Sequence, residues 1–443
     1  MKHIDSTCPL LAVTGSQIFM ALAILAIAFI AFLLFLILFE PKLAYRITAP
    51  TLPLSSGEFT SLLSALADAQ VHDKNRVEVL TDGAAFYEAE LAAIRVARVS
   101  INLEGYIFEP GQVATRFLDV LTERARAGVQ VRLVLDAIGS LTTGDRAFSN
   151  LRAAGGQVVW YHPLRWYNFK RLNNRTHRNL IIVDGRVGFI GGAGVADRWL
   201  KGSDKQPPWR DTMFRVEGPL VVSLQSTFAE NWLEAAEEIL AADEHFPADQ
   251  FNEKWSPGNI KGFVVNSEPS AGRGTRARIL FQTLLACARE SIHITTPYFL
   301  PDRSIRQELL RAVRDRGVQV RVITTSDHCD LILPRRISRS NYGVLLAGGV
   351  EIHEYQPAMI HAKSLVIDRL WSVVGSTNFD HRSFGHNDEV NLAAVDESLA
   401  ERLLADFEAD LGRSRAISYE EWRHRSLKER IQERLLWILK RQA

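Results

Sequence analysis

Cysteine is scarce in this chain: Cys8, Cys287 and Cys329 are the whole supply among 443 residues. They form no close pair and show no metal-type spacing, which argues against a disulfide framework and against a cysteine-based zinc site. An excess of either charge is missing too. With 52 basic and 51 acidic residues the net charge is +1, so no global basic field recruits nucleic acid. From Ile18 to Phe39 there is no charge, glycine or proline at all. This apolar run of 22 residues is long enough to span a bilayer as one helix. A signal peptide would have a shorter apolar region followed by small residues at a cut site; here the chain continues Glu40-Pro41-Lys42. The run therefore reads as an uncleaved, single-pass N-terminal anchor. Lys2 and the amino terminus flank one side, Lys42 and Arg46 the other, a balance that leans weakly towards placing the rest of the chain in the cytoplasm.

The densest chemistry lies at His361-Ala-Lys363-Ser-Leu-Val-Ile-Asp368, followed after six residues by Gly375-Ser376-Thr-Asn378. Ser364 to Ile367 is a short, mostly apolar stretch that reads as a buried strand. Alternation along a strand puts His361 and Lys363 on one face, about 7 Å apart, and Asp368 on the other. A histidine and a lysine on one face, next to small residues that let a ligand approach the backbone, suit a phosphate group. His361 can attack phosphorus or protonate a leaving oxygen, Lys363 can hold a non-bridging oxygen, and Ser376 and Asn378 add neutral donors.

An imperfect second copy stands upstream. His177-Arg178-Asn179 leads through Leu180–Val183 to Asp184, and six residues later comes Gly191-Gly192-Ala193-Gly194. Histidine, aspartate and the glycine pair keep their spacing, but Asn179 replaces the lysine and Gly194 the asparagine. Arg178 is a poor substitute, because alternation points it away from His177. The duplication extends further: Gly128-Val-Gln-Val-Arg132 recurs as Gly317-Val-Gln-Val-Arg321, and Val99–Phe108 resembles Ser291–Leu300. Two homologous halves are the economical account. Each runs strand, helix, strand, helix, strand, which predicts an α/β fold with a mixed sheet flanked by helices.

The expected divisions are 1–17 N-terminal segment, 18–39 transmembrane helix, 40–74 juxtamembrane linker with a helix near Phe59–Ala69, 75–246 first half, 247–262 linker, 263–416 second half and 417–443 tail. In the tail Leu427, Ile431, Leu435 and Ile438 fall on one helical stripe, with Arg423, Lys428, Arg430, Arg434 and Arg441 opposite and Trp422 and Trp437 beside it. Such a helix suits either an anionic membrane surface or the protein's own core.

The pattern His-x-Lys-x4-Asp-x6-Gly-Ser-x-Asn resembles the motif of the phospholipase D superfamily. Together with Leu103-Glu104-Gly105-Tyr106, Trp209-Arg210-Asp211-Thr212, Thr296-Pro297-Tyr298-Phe299 and Tyr355-Gln356-Pro357, it looks like the bacterial cardiolipin synthase branch. The resemblance covers nearly everything from Asn75 to the tail. It implies two halves related by a pseudo-two-fold axis, with both motifs in one site, and a membrane-bound phosphatidyltransferase of phospholipid biosynthesis. His177 would be the nucleophile, forming a phosphohistidine, and His361 the general acid, with Lys363 as the charged clamp. Asn179, Gly192, Ser376 and Asn378 would contact substrate, Asp211 and Glu389 would orient the histidines, and Asp184 and Asp368 would be structural. No metal and no cofactor are implied. The expected partners are a phospholipid, phosphatidylglycerol above all, and the bacterial cytoplasmic membrane, with no nucleic acid. A phospholipase D-type hydrolase and a catalytically impaired lipid-binding relative stand as alternatives, the latter because of Asn179. Lys170, Arg171 and Arg175 are candidate replacement cations, and the aromatic loop Trp166–Phe169 is either core packing or part of the site mouth.

Overall fold

The computed structural model describes residues 15–38, 45–163, 173–202, 207–247, 257–269, 274–426 and 429–430. In the first half the strands are β1 (His72–Thr81), β2 (Ser100–Gly105), β3 (Gln130–Asp136), β4 (Gln157–Tyr161), β5 (Arg175–Thr176), β6 (Leu180–Val183), β7 (Val187–Gly191) and β8 (Thr212–Glu217). The second half supplies β9 (Ile260–Ser267), β10 (Ser291–Thr295), β11 (Gln319–Thr325), β12 (Glu351–Tyr355), β13 (Ser364–Ile367), β14 (Trp371–Gly375), β15 (Asn387–Val395) and β16 (Ser414–Ala416).

One mixed sheet joins both halves. Outward from the central antiparallel pair β1/β9, one side runs β8-β7-β6-β2-β3-β4 and the other β15-β14-β13-β10-β11-β12-β16. Apart from the edge strand β16, the two sides repeat one order, the arrangement a two-fold relation between halves requires. β2, β3 and β4 are parallel to one another, as are β10, β11 and β12, and the motif strands run antiparallel beside them.

The motif strands are apolar throughout because both of their faces are covered. In β6, Leu180 and Ile182 join one core while Ile181 and Val183 join another; in β13, Leu365 and Ile367 face one core and Val366 the other. Helices Asp82–Arg95 and Gln112–Arg126 cover one face of the first half, and Arg276–Cys287 and Arg303–Arg316 that of the second. The opposite face is continuous: Leu220–Ala236 and Glu397–Leu411 pack side chains into a single core with Val77, Phe214, Val264 and Leu392. The repeated Gly-Val-Gln-Val-Arg segments turn from helix to strand. Gly128 and Gly317 take φ of +89° and +70° after Gln112–Arg126 and Arg303–Arg316, the left-handed geometry that favours glycine there.

The expected juxtamembrane linker is not a free tether along its length. It carries the helix Gly57–Leu66, capped by Ser56, and buries Leu54, Phe59, Leu63 and Ala67 in the core of the second half. Trp371 in β14 donates its indole N–H to the Leu54 carbonyl at 2.9 Å. At the other end, Trp422 packs against Gly343 and donates to the Arg339 carbonyl at 2.7 Å, so the start of the tail docks on the protein. The stripe residues Leu427, Ile431, Leu435 and Ile438, the loop Trp166–Phe169 with Lys170 and Arg171, and most of the linker between the halves lie outside the described residues.

The apolar N-terminal run forms the helix Gly15–Leu38, and Phe19, Leu25, Ile27 and Phe29 expose their side chains. Among the described residues, however, no helix is long and apolar enough to cross a membrane. The expected span Ile18–Phe39 is therefore not established by the fold.

Candidate active site

Backbone pairing across the halves positions both motif histidines. β5 pairs in parallel with the start of β15, and the His177 N–H donates to the Asp388 carbonyl at 2.9 Å. In the related place, Arg210 pairs with Ile360, and the His361 N–H donates to the Arg210 carbonyl at 2.7 Å. The next residues along are Glu389 and Asp211. Each histidine is thus set against a carboxylate from the other half.

His177 Nδ1 lies 3.2 Å from Glu389 Oε1 and 3.1 Å from the Ser376 carbonyl. His361 Nδ1 lies 2.7 Å from Asp211 Oδ2. Two acceptors at one Nδ1 and a carboxylate at the other favour the tautomer with hydrogen on Nδ1. Ser376 Oγ donates to Glu389 and Trp199 Nε1 donates to Asp211 at 2.9 Å, so both carboxylates are themselves held in place.

Lys363 crosses between the motifs. Its ammonium lies 2.8 and 2.9 Å from the two ring nitrogens of His361 and 2.7 Å from the His361 carbonyl. A Cβ added to Gly192 would come within 2.9 Å of Lys363 Nζ and 3.0 Å of Asp211 Oδ1. Glycine at 192 therefore makes room for the lysine of the other motif. Burial and then the Lys363 ammonium push His361 down to about 4, against the opposing pull of Asp211. Burial likewise pushes Lys363 down to about 8, although Asp211 and Glu389 hold its proton on. Burial alone would raise both carboxylates, but His361 and Lys363 hold Asp211 below its ordinary range, and His177 and Ser376 do the same for Glu389.

Asn179 is tied to the backbone. Its side-chain amide donates to the Gly192 carbonyl at 3.1 Å and accepts from the Tyr106 N–H at 3.2 Å. Arg175 is buried against Asp136 and donates to the carbonyls of His162 and Asn174. At Gly194 an added Cβ would meet the Ile107 carbonyl at 2.4 Å, leaving no room for the asparagine of the second motif. Asn378 is buried, and its side-chain oxygen has no hydrogen-bond partner among the described residues.

Asp184 and Asp368 sit in matching turns with φ of +52° and +50°. Asp184 accepts from the N–H groups of Arg98, Val99 and Ser100, and Asp368 from those of Arg289, Glu290 and Ser291. Each carboxylate thereby fastens the motif turn to the start of the neighbouring strand.

Several further residues belong to the site. The Tyr106 ring meets the His177 ring edge-on at 5.0 Å, and Trp199 and Trp209 both lie 5.4 Å from the His361 ring. Asp380, buried near His177, is pushed up to about 6 by burial. Tyr106 and Trp209 stand inside recognisable sequence blocks. Trp199 and Asp380 carry no spacing signal that separates them from ordinary core residues.

Comparison with known proteins decides the family. The pattern described as "Cardiolipin synthase, PLD-like domain" matches residues 91–205 and 281–411. The chain belongs to this family. Among curated cardiolipin synthases, cardiolipin synthase 1 of Bacillus cereus is 32% identical over 400 residues, covering 88% of this chain and 77% of its own. The major cardiolipin synthase of Bacillus subtilis is 35% identical over 373 residues, covering 83% and 75%. In fold the chain is similar to the phosphatidylserine synthase of Haemophilus influenzae, with a TM-score of 0.65 over 86% of this chain and 99% of that one, at 14% identity. Membership of the cardiolipin synthase family makes the chain a phosphatidyltransferase of the phospholipase D superfamily.

Proposed function

We propose that this enzyme makes cardiolipin, moving the phosphatidyl group of one phosphatidylglycerol to a second and releasing glycerol. The observation that carries the reading is the crossed pair of imidazole–carboxylate contacts, His177 with Glu389 and His361 with Asp211, with Lys363 between the motifs. In the first step His177 Nε2 attacks phosphorus. The bond from phosphorus to the glycerol oxygen breaks, and His361 gives that oxygen its proton. In the second step the hydroxyl of the acceptor phosphatidylglycerol passes its proton to His361 and attacks phosphorus, expelling neutral His177. Lys363 offsets the charge that builds on the non-bridging oxygens.

His361 must carry a proton to act first as an acid, yet burial and Lys363 push it down to about 4. A bound phosphodiester anion acts in the opposite sense, drawing on the Lys363 ammonium and adding negative charge beside the ring. Binding of the substrate then loads the acid.

The site belongs at a membrane. The apolar run Ile18–Phe39 of the sequence is what supports an N-terminal anchor in the bacterial cytoplasmic membrane, ahead of catalytic halves at about 75–246 and 263–416. A chain anchored in this way stays with the membrane through carbonate washing; release into the soluble fraction removes the anchor from the proposal.

The deciding assay incubates purified protein with labelled phosphatidylglycerol. Cardiolipin with an equal yield of glycerol supports the transferase. Phosphatidic acid as the main product makes water the acceptor and the enzyme a hydrolase. No turnover of phosphatidylglycerol, beside an active relative with two intact motifs, favours the lipid-binding alternative.

A further inference from the structure

The strands β3 and β11 hold the same place in the two halves, and each is followed by a loop that exposes apolar side chains. After β3 these are Ile138 and Leu141; after β11 they are Leu331, Ile332 and Leu333, at the entry to the helix Ile332–Leu346. All five are between 37% and 68% exposed. Water-facing leucines and isoleucines at matching places in two halves are hard to account for by packing, because none of them joins a buried core.

Both loops adjoin residues that surround the site. Gly139, between Ile138 and Leu141, lies so close to Tyr106 that an added Cβ would stand 2.2 Å from the Tyr106 carbonyl and 2.6 Å from its ring. Ser140 Oγ donates to the same carbonyl at 2.9 Å, and the Tyr106 ring meets His177. On the other side Asp330 accepts from the Leu331 N–H at 2.7 Å and from the Tyr298 hydroxyl. The Asp330 charge acts on His361, Lys363 and Tyr106, and the Tyr298 ring packs on the core of the first half.

We infer that Ile138 and Leu141 in one half, and Leu331 to Leu333 in the other, form two apolar lips that sit in the surface of the bilayer and hold the site mouth against the lipid headgroups. The inference rests on the phosphatidyltransferase reading and adds to it how the substrate is presented. His177 and His361 are nearly buried, with side chains 13% and 8% exposed, so a headgroup phosphate reaches them only where the protein meets the membrane closely. An anchor tethers the chain without fixing which face looks at the bilayer. Exposed apolar patches beside a lipid site fix that face.

The test compares two substrates with the full chain. One is long-chain phosphatidylglycerol in vesicles; the other is a short-chain phosphatidylglycerol kept below its micelle concentration. Ile138→Asp with Leu141→Asp, and separately Leu331→Asp with Ile332→Asp, should lower turnover on vesicles by about tenfold or more and leave turnover of the dispersed lipid within about twofold. Val96→Asp, at an exposed apolar position in the short connection before β2, should change neither. Equal turnover on vesicles by the lip variants and the unaltered chain overturns the inference.

A readout without catalysis separates this from the function itself. With Cys8, Cys287 and Cys329 replaced by serine, a spin label on Leu141→Cys or Ile332→Cys in vesicle-bound protein should collide with oxygen more than with a water-soluble nickel chelate. The reverse order places the lips in water and overturns the inference even if the enzyme is active. Labels in lipid on a chain that turns over neither substrate would uphold the lips and sink the transferase reading.

Discussion

Asp211 of the first half and His361 of the second are joined across the interface by a contact of 2.7 Å between Oδ2 and Nδ1. The carboxylate is fully buried, and Trp199 donates to the same oxygen. In the proposed mechanism its part is to keep hydrogen on Nδ1, so that Nε2 can exchange a proton with the leaving and entering oxygens. Asp211→Asn presents an amide that can donate in place of accepting, which stabilises the wrong tautomer. Phosphatidyl transfer should fall by about 10²- to 10⁴-fold, with the thermal midpoint measured alongside to exclude unfolding. Glu389→Gln should act in the same direction on His177. A loss of less than threefold in either variant would mean that the carboxylates do not orient the histidines.

Lys363→Ala removes the one lysine of the two motifs, and turnover should drop by about 10²-fold or more. Asn179→Lys is more informative, because it places in the first motif the residue that the second has. Asn179 accepts from the Tyr106 N–H and donates to the Gly192 carbonyl; a lysine there leaves the Tyr106 N–H without its acceptor, at a cost of about 1–3 kcal/mol. It also brings a second ammonium towards Gly192, where Lys363 already stands. The expected outcome is a less stable protein with lower turnover. A rise in turnover would show that the site lacks a charge and can house it, and would sink this account.

Much of this arrangement can be read from local sequence, and the limit of that reading is physical. The closeness of His361 and Lys363, just ahead of β13, is legible because it joins residues only two apart in the chain. The repeated Gly128 and Gly317 segments disclose two halves, because both must leave a helix through a left-handed turn. Apolar motif strands disclose a sheet covered on both faces. What lies beyond reach is anything set by how the halves meet. That Glu389 serves His177 while Asp211 serves His361 depends on two backbone pairings between segments more than 100 residues apart, Arg175 with Asn387 and Arg210 with Ile360. Asn179 likewise looks like a lost clamp in the sequence. Its commitment to Tyr106 and Gly192 depends on the neighbouring strand and turn. Trp199 reaches Asp211 from a short helical turn with no motif of its own.

The His361 shift makes a prediction about pH. Without substrate the ring stays neutral down to about 4. Phosphodiester binding raises that value, so between about pH 5 and 7 binding should take up a proton. Calorimetry with a non-hydrolysable phosphatidylglycerol analogue in buffers of different ionisation enthalpy reads the uptake directly, as a binding enthalpy that varies with the buffer. His361→Gln should lose that dependence. The sign for folding follows from the same shift: the unfolded chain binds this proton near the ordinary 6.5 and the folded chain near 4. Stability therefore declines as pH falls through that window, by up to about 3 kcal/mol from this group, and the substitution should flatten that share. Binding enthalpies independent of buffer would remove the proposed loading of the acid.

Asp184 and Asp368 give a test of the opposite kind, a large effect on stability with little on the chemistry of folded molecules. Each carboxylate accepts three successive backbone N–H groups at the entry to β2 or β10 from a residue with positive φ. Alanine removes every acceptor and sits badly in that backbone conformation, so Asp184→Ala or Asp368→Ala should lower stability by about 2–4 kcal/mol. Asparagine keeps one oxygen acceptor and tolerates positive φ. Asp184→Asn and Asp368→Asn should therefore recover at least half of that loss. Turnover per folded molecule should stay within about threefold of the unaltered chain in all four variants, measured below the unfolding midpoint of the weakest. If alanine lowered turnover by 10²-fold while the midpoint held, these aspartates would act on the substrate and not on the fold.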